Sequence, residues 1–127
     1  MKDKTQKLLI KAQETIEAAE LLANAGKLSS AAGRAYYAMF YVAIALLHEQ
    51  GLDFRKHGGV HAAFGLHFTK PGKLDPKFHR YLLDAFETRQ EADYDVYITL
   101  NDETVREMIR RAKEFLAAGK ALLEQAS

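Results

Sequence analysis

The sequence predicts an all-α fold, an antiparallel four-helix up-and-down bundle with an additional short helix. Alanine and leucine dominate the composition, β-branched residues are sparse, and only two prolines and eight glycines interrupt the 127 residues. Apolar side chains also recur at spacings of three and four, which places them on one face of a helix. The length suits one core, so we predict a single helical domain over residues 1–127.

The first two helices are predicted from periodicity and from their end signals. A helix over residues 4–24 has one apolar face, and Gly26 suits the left-handed position after a helix end. A second helix is expected to begin at Ser29 or Ser30, both good N-caps, and to run to about Gln50. Its middle, AYYAMFYVAIALL, is apolar on every side, so several neighbouring helices or a second subunit must cover it.

Three further helices follow from the remaining sequence. We predict a short helix over residues 58–68, and a longer one that begins with Asp75 as N-cap and Pro76 at the first helical position. A fifth helix is expected to begin at Asn101 or Asp102, and it has the cleanest helical periodicity in the chain. Because the connecting loops are short, consecutive helices should be antiparallel neighbours.

Composition excludes several functional classes. The absence of cysteine excludes disulfides and thiolate chemistry, and a net charge of +1 disfavours broad electrostatic adhesion to nucleic acid. The first residues, MKDKTQKLLIKAQETIEAAE, lack the apolar segment of a secretory signal. The longest apolar run is also shorter than the roughly 20 residues that a membrane-spanning helix needs. We therefore expect a cytoplasmic protein that does not bind membranes.

Charge is distributed unevenly along the chain. Residues 55–80 contain six Lys/Arg, one acid and four of the five histidines, whereas residues 84–103 contain seven acids and a single base, Arg89. This arrangement could steer an anionic ligand or a charged partner, or it could be a mixed solvated surface.

Arg89 occupies a position where the helical pattern requires an apolar residue. The stripe formed by Phe78, Leu82 and Ala85 continues to position 89. A buried guanidinium without a partner costs several kcal/mol, and a local pair with Asp93 contributes only about 0.3–0.5 kcal/mol. Arg89 is therefore either a snorkelling residue at the end of the bundle or an arginine that faces a cleft or subunit interface and can bind phosphate.

Metal and cofactor sites are not indicated. Glu87 and Glu91 lie one turn apart and could share a metal, but no Glu-x-x-His motif accompanies them. His57 and His61 have the spacing of a zinc-binding pair, but no third ligand is apparent, which favours a polar helix start. No phosphate-binding Gly-rich loop is present either. We therefore predict no metal and no cofactor.

The start of the second helix contains a further cation and several hydroxyl groups. Arg34 lies at the edge of the apolar run, and Tyr37 and Tyr41 lie on nearby faces. The tyrosines could pack in the core or offer hydroxyls to a ligand.

Three stretches of the chain together resemble the HEPN domain family, named for nucleotide binding in higher eukaryotes and prokaryotes. They are SSAAGRAYYAMFYVAIALL, KHGGVHAAFGLHF and GKLDPKFHRYLLDAFETRQEADYD. The strongest elements are the RAYYA run at Arg34, the KHG turn at His57, and Arg89 followed by Asp93 and Tyr94. The likeness spans about residues 5–125, and it implies an all-α bundle that is usually a homodimer.

The resemblance also implies two kinds of activity. Many HEPN proteins are ribonucleases, and others partner a small nucleotidyltransferase encoded nearby, often as a toxin–antitoxin pair. In the nuclease members an arginine is followed, after four to six residues, by a histidine. Arg89 matches the arginine, but the histidine positions hold Tyr94, Asp95 and Val96. The chain thus resembles a HEPN branch with Arg…Asp-Tyr in place of Arg…His.

The first hypothesis is a non-catalytic, or weakly catalytic, HEPN subunit. It would dimerise through the apolar second helix and the Arg89 end of the fourth, and bind a nucleotide, RNA phosphate or a nucleotidyltransferase. In some family members a nucleotide is transferred onto a tyrosine near this motif, which makes Tyr94 and Tyr97 candidates. The candidate binding residues are Arg34, Tyr37, His57, Arg89, Asp93 and Tyr94.

The second hypothesis is a metal-independent endoribonuclease. Arg89 would hold the phosphate, and Asp93, or else His57 or His61, would act as the base. A third hypothesis is a structural helical adaptor without a ligand.

Overall fold

The structure is a computed structural model that describes residues 1–125, and it confirms the all-α prediction. The described residues form helices and loops, with no β-strand. The third helix continues into a π-helical turn over Gly65–Thr69. The five α-helices are α1 (Asp3–Asn24), α2 (Leu28–Glu49), α3 (His57–Phe64), α4 (Lys77–Tyr94) and α5 (Asp102–Gln125).

The helix ends follow the predicted signals in most places. Gly26 has a φ of 78°, as the end of α1 requires. The Asp75 carboxylate accepts a hydrogen bond from the Lys77 N–H at 2.9 Å, and Pro76 already has helical dihedral angles. The Asn101 side chain accepts a hydrogen bond from the Thr104 N–H at 2.7 Å, which makes Asn101 the cap of α5.

One predicted helix start was wrong, and another differs from the structure by one residue. α2 begins at Leu28 without a side-chain cap, because the tight turn at Gly26 already aligns the Lys27 carbonyl with the Ala31 N–H at 2.9 Å. Ser29 and Ser30 therefore lie in its first turn rather than at the N-cap. α3 begins at His57, one residue earlier than predicted, and Lys56 is the extended residue before it.

α2 is the central element of the bundle. It packs against α1, α3, α4 and α5. Of the two coverings that the sequence allowed, neighbouring helices or a second subunit, helices of the same chain bury most of its apolar side chains. α2 is long and apolar enough to cross a membrane, yet 67% of its apolar window is buried inside the bundle. This burial is that of a core helix.

A glycine permits the close approach of α5 to α2. A Cβ added at Gly119 would lie 2.6 Å from Val42 Cγ1, which is closer than non-bonded carbon atoms approach. Val42 is fully buried, so its side chain has no free space into which it could move. Gly33, inside α2, differs because an added Cβ would meet no atom within 4 Å.

These two glycines predict opposite effects of alanine on stability. Overpacking typically costs about 1–3 kcal/mol, whereas replacing glycine by alanine inside a helix gains up to about 1 kcal/mol. We expect Gly119→Ala to lower the free energy of unfolding by about 1–2 kcal/mol and Gly33→Ala to raise it by about 0.5–1 kcal/mol. Urea denaturation measures both. Equal stability of the two variants would contradict the packing described for Gly119.

Candidate functional site

The candidate site is built around the hydroxyl group of Tyr36, where α2 meets α3 and α4. Tyr36 is fully buried. Its hydroxyl lies 2.6 Å from His57 Nδ1 and 2.8 Å from His61 Nε2. Because His57 and His61 lie one turn apart on α3, both imidazoles reach the same hydroxyl. The buried hydroxyl thus joins two histidines in one hydrogen-bonded cluster.

The His57 ring is held on several sides. It stacks on Phe40 with 4.4 Å between ring centroids and an interplanar angle of 18°. Phe86 of α4 lies 5.6 Å from it. The Tyr36 hydroxyl occupies Nδ1, and within residues 1–125 Nε2 has no hydrogen-bond partner. His57 is therefore a half-buried, fixed imidazole with one ring nitrogen left for a ligand.

Arg89 is stabilised by aromatic rings and by a carboxylate. Its side chain is 25% exposed, and its Nε lies 3.2 Å from the Asp93 carboxylate. The guanidinium carbon lies 4.8 Å from the centroid of the Tyr37 ring and 5.8 Å from that of Tyr36. Cation–π contacts of this kind contribute about 0.5–2 kcal/mol, which the local ion pair alone does not provide. They explain how a cation occupies the apolar stripe of α4.

Arg89 lines a surface groove between the start of α2 and the end of α4. The groove has a volume of about 520 Å³ and a mostly polar lining. It combines two guanidinium groups with hydroxyls and a single carboxylate, the donor set that suits a phosphate group. The lining residues are Ser29, Ser30, Gly33, Arg34, Tyr37, Tyr41, Arg89 and Asp93.

Burial keeps the histidine cluster uncharged at neutral pH. The pKa of His61 is lowered to about 4, chiefly by burial, with smaller contributions from the nearby His57 and His79. Burial also lowers the pKa of His57, with a smaller contribution from the positive charge of Arg89. The pKa of Tyr36 is raised, chiefly because the buried phenolate would lose its hydration. The cluster therefore consists of a neutral phenol between two neutral imidazoles.

The structure brings together most of the residues that the sequence nominated. Arg34, Tyr37, Arg89 and Asp93 share the groove, and the His57 ring lies 5.8 Å from the Tyr37 ring.

Tyr94 and Tyr97 lie apart from this group. Tyr94 is the last residue of α4 and is 84% exposed, and Tyr97 lies in the following loop and is 91% exposed. Neither lines the groove.

Two features of the site were not predicted. The sequence analysis did not single out Tyr36, but its hydroxyl is the centre of the histidine cluster. His61 was expected at a polar helix start, or as a zinc ligand or an alternative base, whereas it is buried at 5% exposure. The spacing of His57 and His61 was the available signal, since it indicates that both face one neighbouring element. Within residues 1–125 no three metal-binding side chains lie close enough to form a metal site.

The buried neutral histidine predicts a pH dependence of stability. The unfolded chain binds a proton at His61 near the ordinary pKa of 6.5, but the folded chain binds it only near 4. Between these values the unfolded state holds more protons, so the free energy of unfolding falls as the pH falls, by at most about 1.4 kcal/mol per unit from His61. Urea denaturation at pH 7 and pH 5 measures this loss, and we expect it to shrink in His61→Gln. His67→Gln, which removes an imidazole outside the cluster, serves as the control, and an unchanged loss in His61→Gln would contradict the prediction.

Several known proteins are similar to this chain in sequence over nearly its whole length. The HEPN domain description matches residues 5–122. A UPF0332 protein of Thermotoga maritima is 40% identical over 114 residues, which cover 90% of this chain and 86% of that protein. A Methanocaldococcus jannaschii protein named "Putative toxin" is 35% identical over 122 residues, covering 96% of this chain and 83% of its own. A second protein of that name and organism is 31% identical over 125 residues, covering 98% and 92%. With the helical bundle and its Arg89 groove, these matches establish that the chain belongs to the HEPN domain family.

Proposed function

We propose that this protein binds the phosphate groups of a nucleotide or an RNA strand in the Arg89 groove, as a non-catalytic HEPN component of a toxin–antitoxin-type module. The observation that carries the proposal is the position of Arg89, half-buried against Tyr37 and open to a groove that also contains Arg34. Two relatives carry the name "Putative toxin", which supports a role in a toxin–antitoxin-type module.

The geometry of Arg89 favours an anion over other ligands. Its ion pair with Asp93 is made through Nε, and within the described residues its terminal nitrogens have no hydrogen-bond partner. Those nitrogens form a planar fork that matches two oxygens of a phosphate group. Because the guanidinium already lies against the Tyr37 ring, its side chain loses less entropy on binding than a free arginine would.

The proposal includes a protein partner and a second copy of the chain. α2 is largely covered within its own bundle, so we place a homodimer contact at the Arg89 end of α4 rather than along α2. The proposed protein partner is a nucleotidyltransferase. The proposed location of the complex is the cytoplasm. The exposed Tyr94 or Tyr97 could accept its nucleotidyl group: the phenol oxygen attacks the α-phosphate of a nucleoside triphosphate, pyrophosphate leaves, and the phenol proton passes to solvent.

RNA binding tests the role of Arg89. We expect Arg89→Ala to raise the Kd for a fluorescein-labelled single-stranded RNA by at least about tenfold, since a charge-assisted contact contributes about 1.5–3 kcal/mol. Fluorescence anisotropy at a fixed salt concentration provides the measurement.

Arg80→Ala is the matched control for this experiment. Arg80 is exposed on the same helix, and nine residues of helix place it on the face opposite Arg89. Both variants lose one positive charge, so an equal loss of affinity would show a general charge effect and would count against the groove.

A metal-independent endoribonuclease is the second candidate, and the position of His57 favours it. The neutral imidazole lies beside the same Tyr37 ring as Arg89 and has Nε2 free. In this mechanism Nε2 removes the proton of the ribose 2′-hydroxyl and the 2′-oxygen attacks phosphorus. The 5′-oxygen then leaves and takes up a proton from solvent, producing a 2′,3′-cyclic phosphate, while Arg89 stabilises the added negative charge.

RNA cleavage in the presence of EDTA separates the candidates. An endoribonuclease would yield cyclic-phosphate products that disappear in both His57→Ala and Arg89→Ala and persist in the control His67→Ala. Binding without cleavage is the result we expect from the non-catalytic function. Neither binding nor cleavage would favour the structural adaptor and overturn both candidates.

A further inference from the structure

The two hydrogen bonds of the buried Tyr36, His57 and His61 cluster restrict where its protons can lie. Two contacts join the phenol oxygen to ring nitrogens, and each contact needs one hydrogen. The phenol supplies one hydrogen, so one imidazole must supply the other. Within residues 1–125 the Tyr36 hydroxyl has no further hydrogen-bond partner.

Only two arrangements satisfy the hydroxyl. In the first, Tyr36 donates to His57 Nδ1 and accepts from His61 Nε2–H, so both imidazoles carry their proton on Nε2. In the second, His57 Nδ1–H donates to Tyr36, and Tyr36 donates to His61 Nε2, so both imidazoles carry their proton on Nδ1. If both rings donated to the phenol oxygen, the buried hydroxyl hydrogen would be left without an acceptor, which is unfavourable.

We propose that Tyr36 is a positioning residue that holds His57 and His61 in the same ring tautomer, and that in the phosphate-bound state both rings carry the proton on Nε2. His57 Nε2–H then donates to a phosphodiester oxygen beside Arg89. The ligand-facing part rests on the proposed function, whereas the shared tautomer is a property of the free protein.

The choice of tautomer follows from the ligand. A phosphate oxygen accepts hydrogen bonds, so a His57 that presents Nε2–H is stabilised and one that presents a lone pair is repelled. A general base requires the opposite arrangement, with the lone pair on Nε2. The tautomer of His57 in the complex therefore reports which of the two candidate functions the site performs.

Tyr36 acts through its hydroxyl, and its ring has a separate role in packing. The ring packs against Tyr37, Phe40 and Phe86, contacts that phenylalanine preserves. Tyr36→Phe thus removes the link between the two imidazoles and leaves the aromatic core in place. Tyr81→Phe is the matched control, because it also removes a buried hydroxyl bonded to a side chain, here the Glu114 carboxylate.

Long-range nitrogen–proton NMR of the 15N-labelled protein at pH 7.5 tests the shared tautomer without any ligand. We expect both rings in one and the same tautomer in the wild type, and ring-nitrogen shifts of both that change in Tyr36→Phe but not in Tyr81→Phe. Different tautomers of His57 and His61, in either combination, would overturn the proposal, as would ring shifts that are unaffected by Tyr36→Phe. The backbone amide spectrum of each variant verifies the fold.

The second part of the experiment adds the single-stranded RNA. We expect both histidines as Nε2–H in the complex, and a Kd about fivefold higher for Tyr36→Phe but within twofold of wild type for Tyr81→Phe, as loss of about one hydrogen bond implies. Both rings as Nδ1–H in the complex would overturn the donor role of His57. Failure of the wild type to bind RNA would overturn the proposed function and the donor role, while the ligand-free spectra would still decide the link through Tyr36.

Discussion

Burial of α2 on nearly all sides is the constraint on which the rest of the structure depends. A helix that is apolar around its whole circumference is stable in water only when neighbours cover it, and α1, α3, α4 and α5 do so. This packing fixes where each neighbour lies. It brings α3 and α4 to the same end of α2, so that Tyr36 and Tyr37 of α2 contact His57 from one neighbour and Arg89 from the other.

Polar groups enter this apolar region only where they have partners. The Tyr36 hydroxyl is bonded to two imidazoles, and Arg89 is held by the Tyr37 ring and Asp93. Unpaired, either group would cost several kcal/mol on burial. Within the described residues, every fully buried side-chain nitrogen and oxygen atom has a hydrogen-bond partner. The cluster is therefore stable as a part of the core, and its outer atoms remain available to a ligand.

The family comparison and the geometry address different parts of the problem. Membership of the HEPN family follows from the match over residues 5–122, and it accounts for the helical bundle. The family's nuclease motif places a histidine at positions that hold Tyr94, Asp95 and Val96 here. Those residues are exposed. The histidine that lies beside Tyr37, the ring that Arg89 contacts, is His57 of α3. The two proposed functions therefore differ in whether His57 donates a hydrogen bond to phosphate or removes a proton from the ribose.

The sequence by itself determined the helical class, most helix ends and the anomaly at Arg89, because periodicity, capping residues and glycine turns act over a few neighbouring positions. It missed the start of α2, where Gly26 rather than Ser29 or Ser30 governs the turn. Only the tertiary structure decided that Tyr36 joins His57 to His61 and that Arg34 shares a groove with Arg89. Those contacts join different helices or distant parts of the chain, and their geometry depends on how the helices pack, which local pattern does not encode.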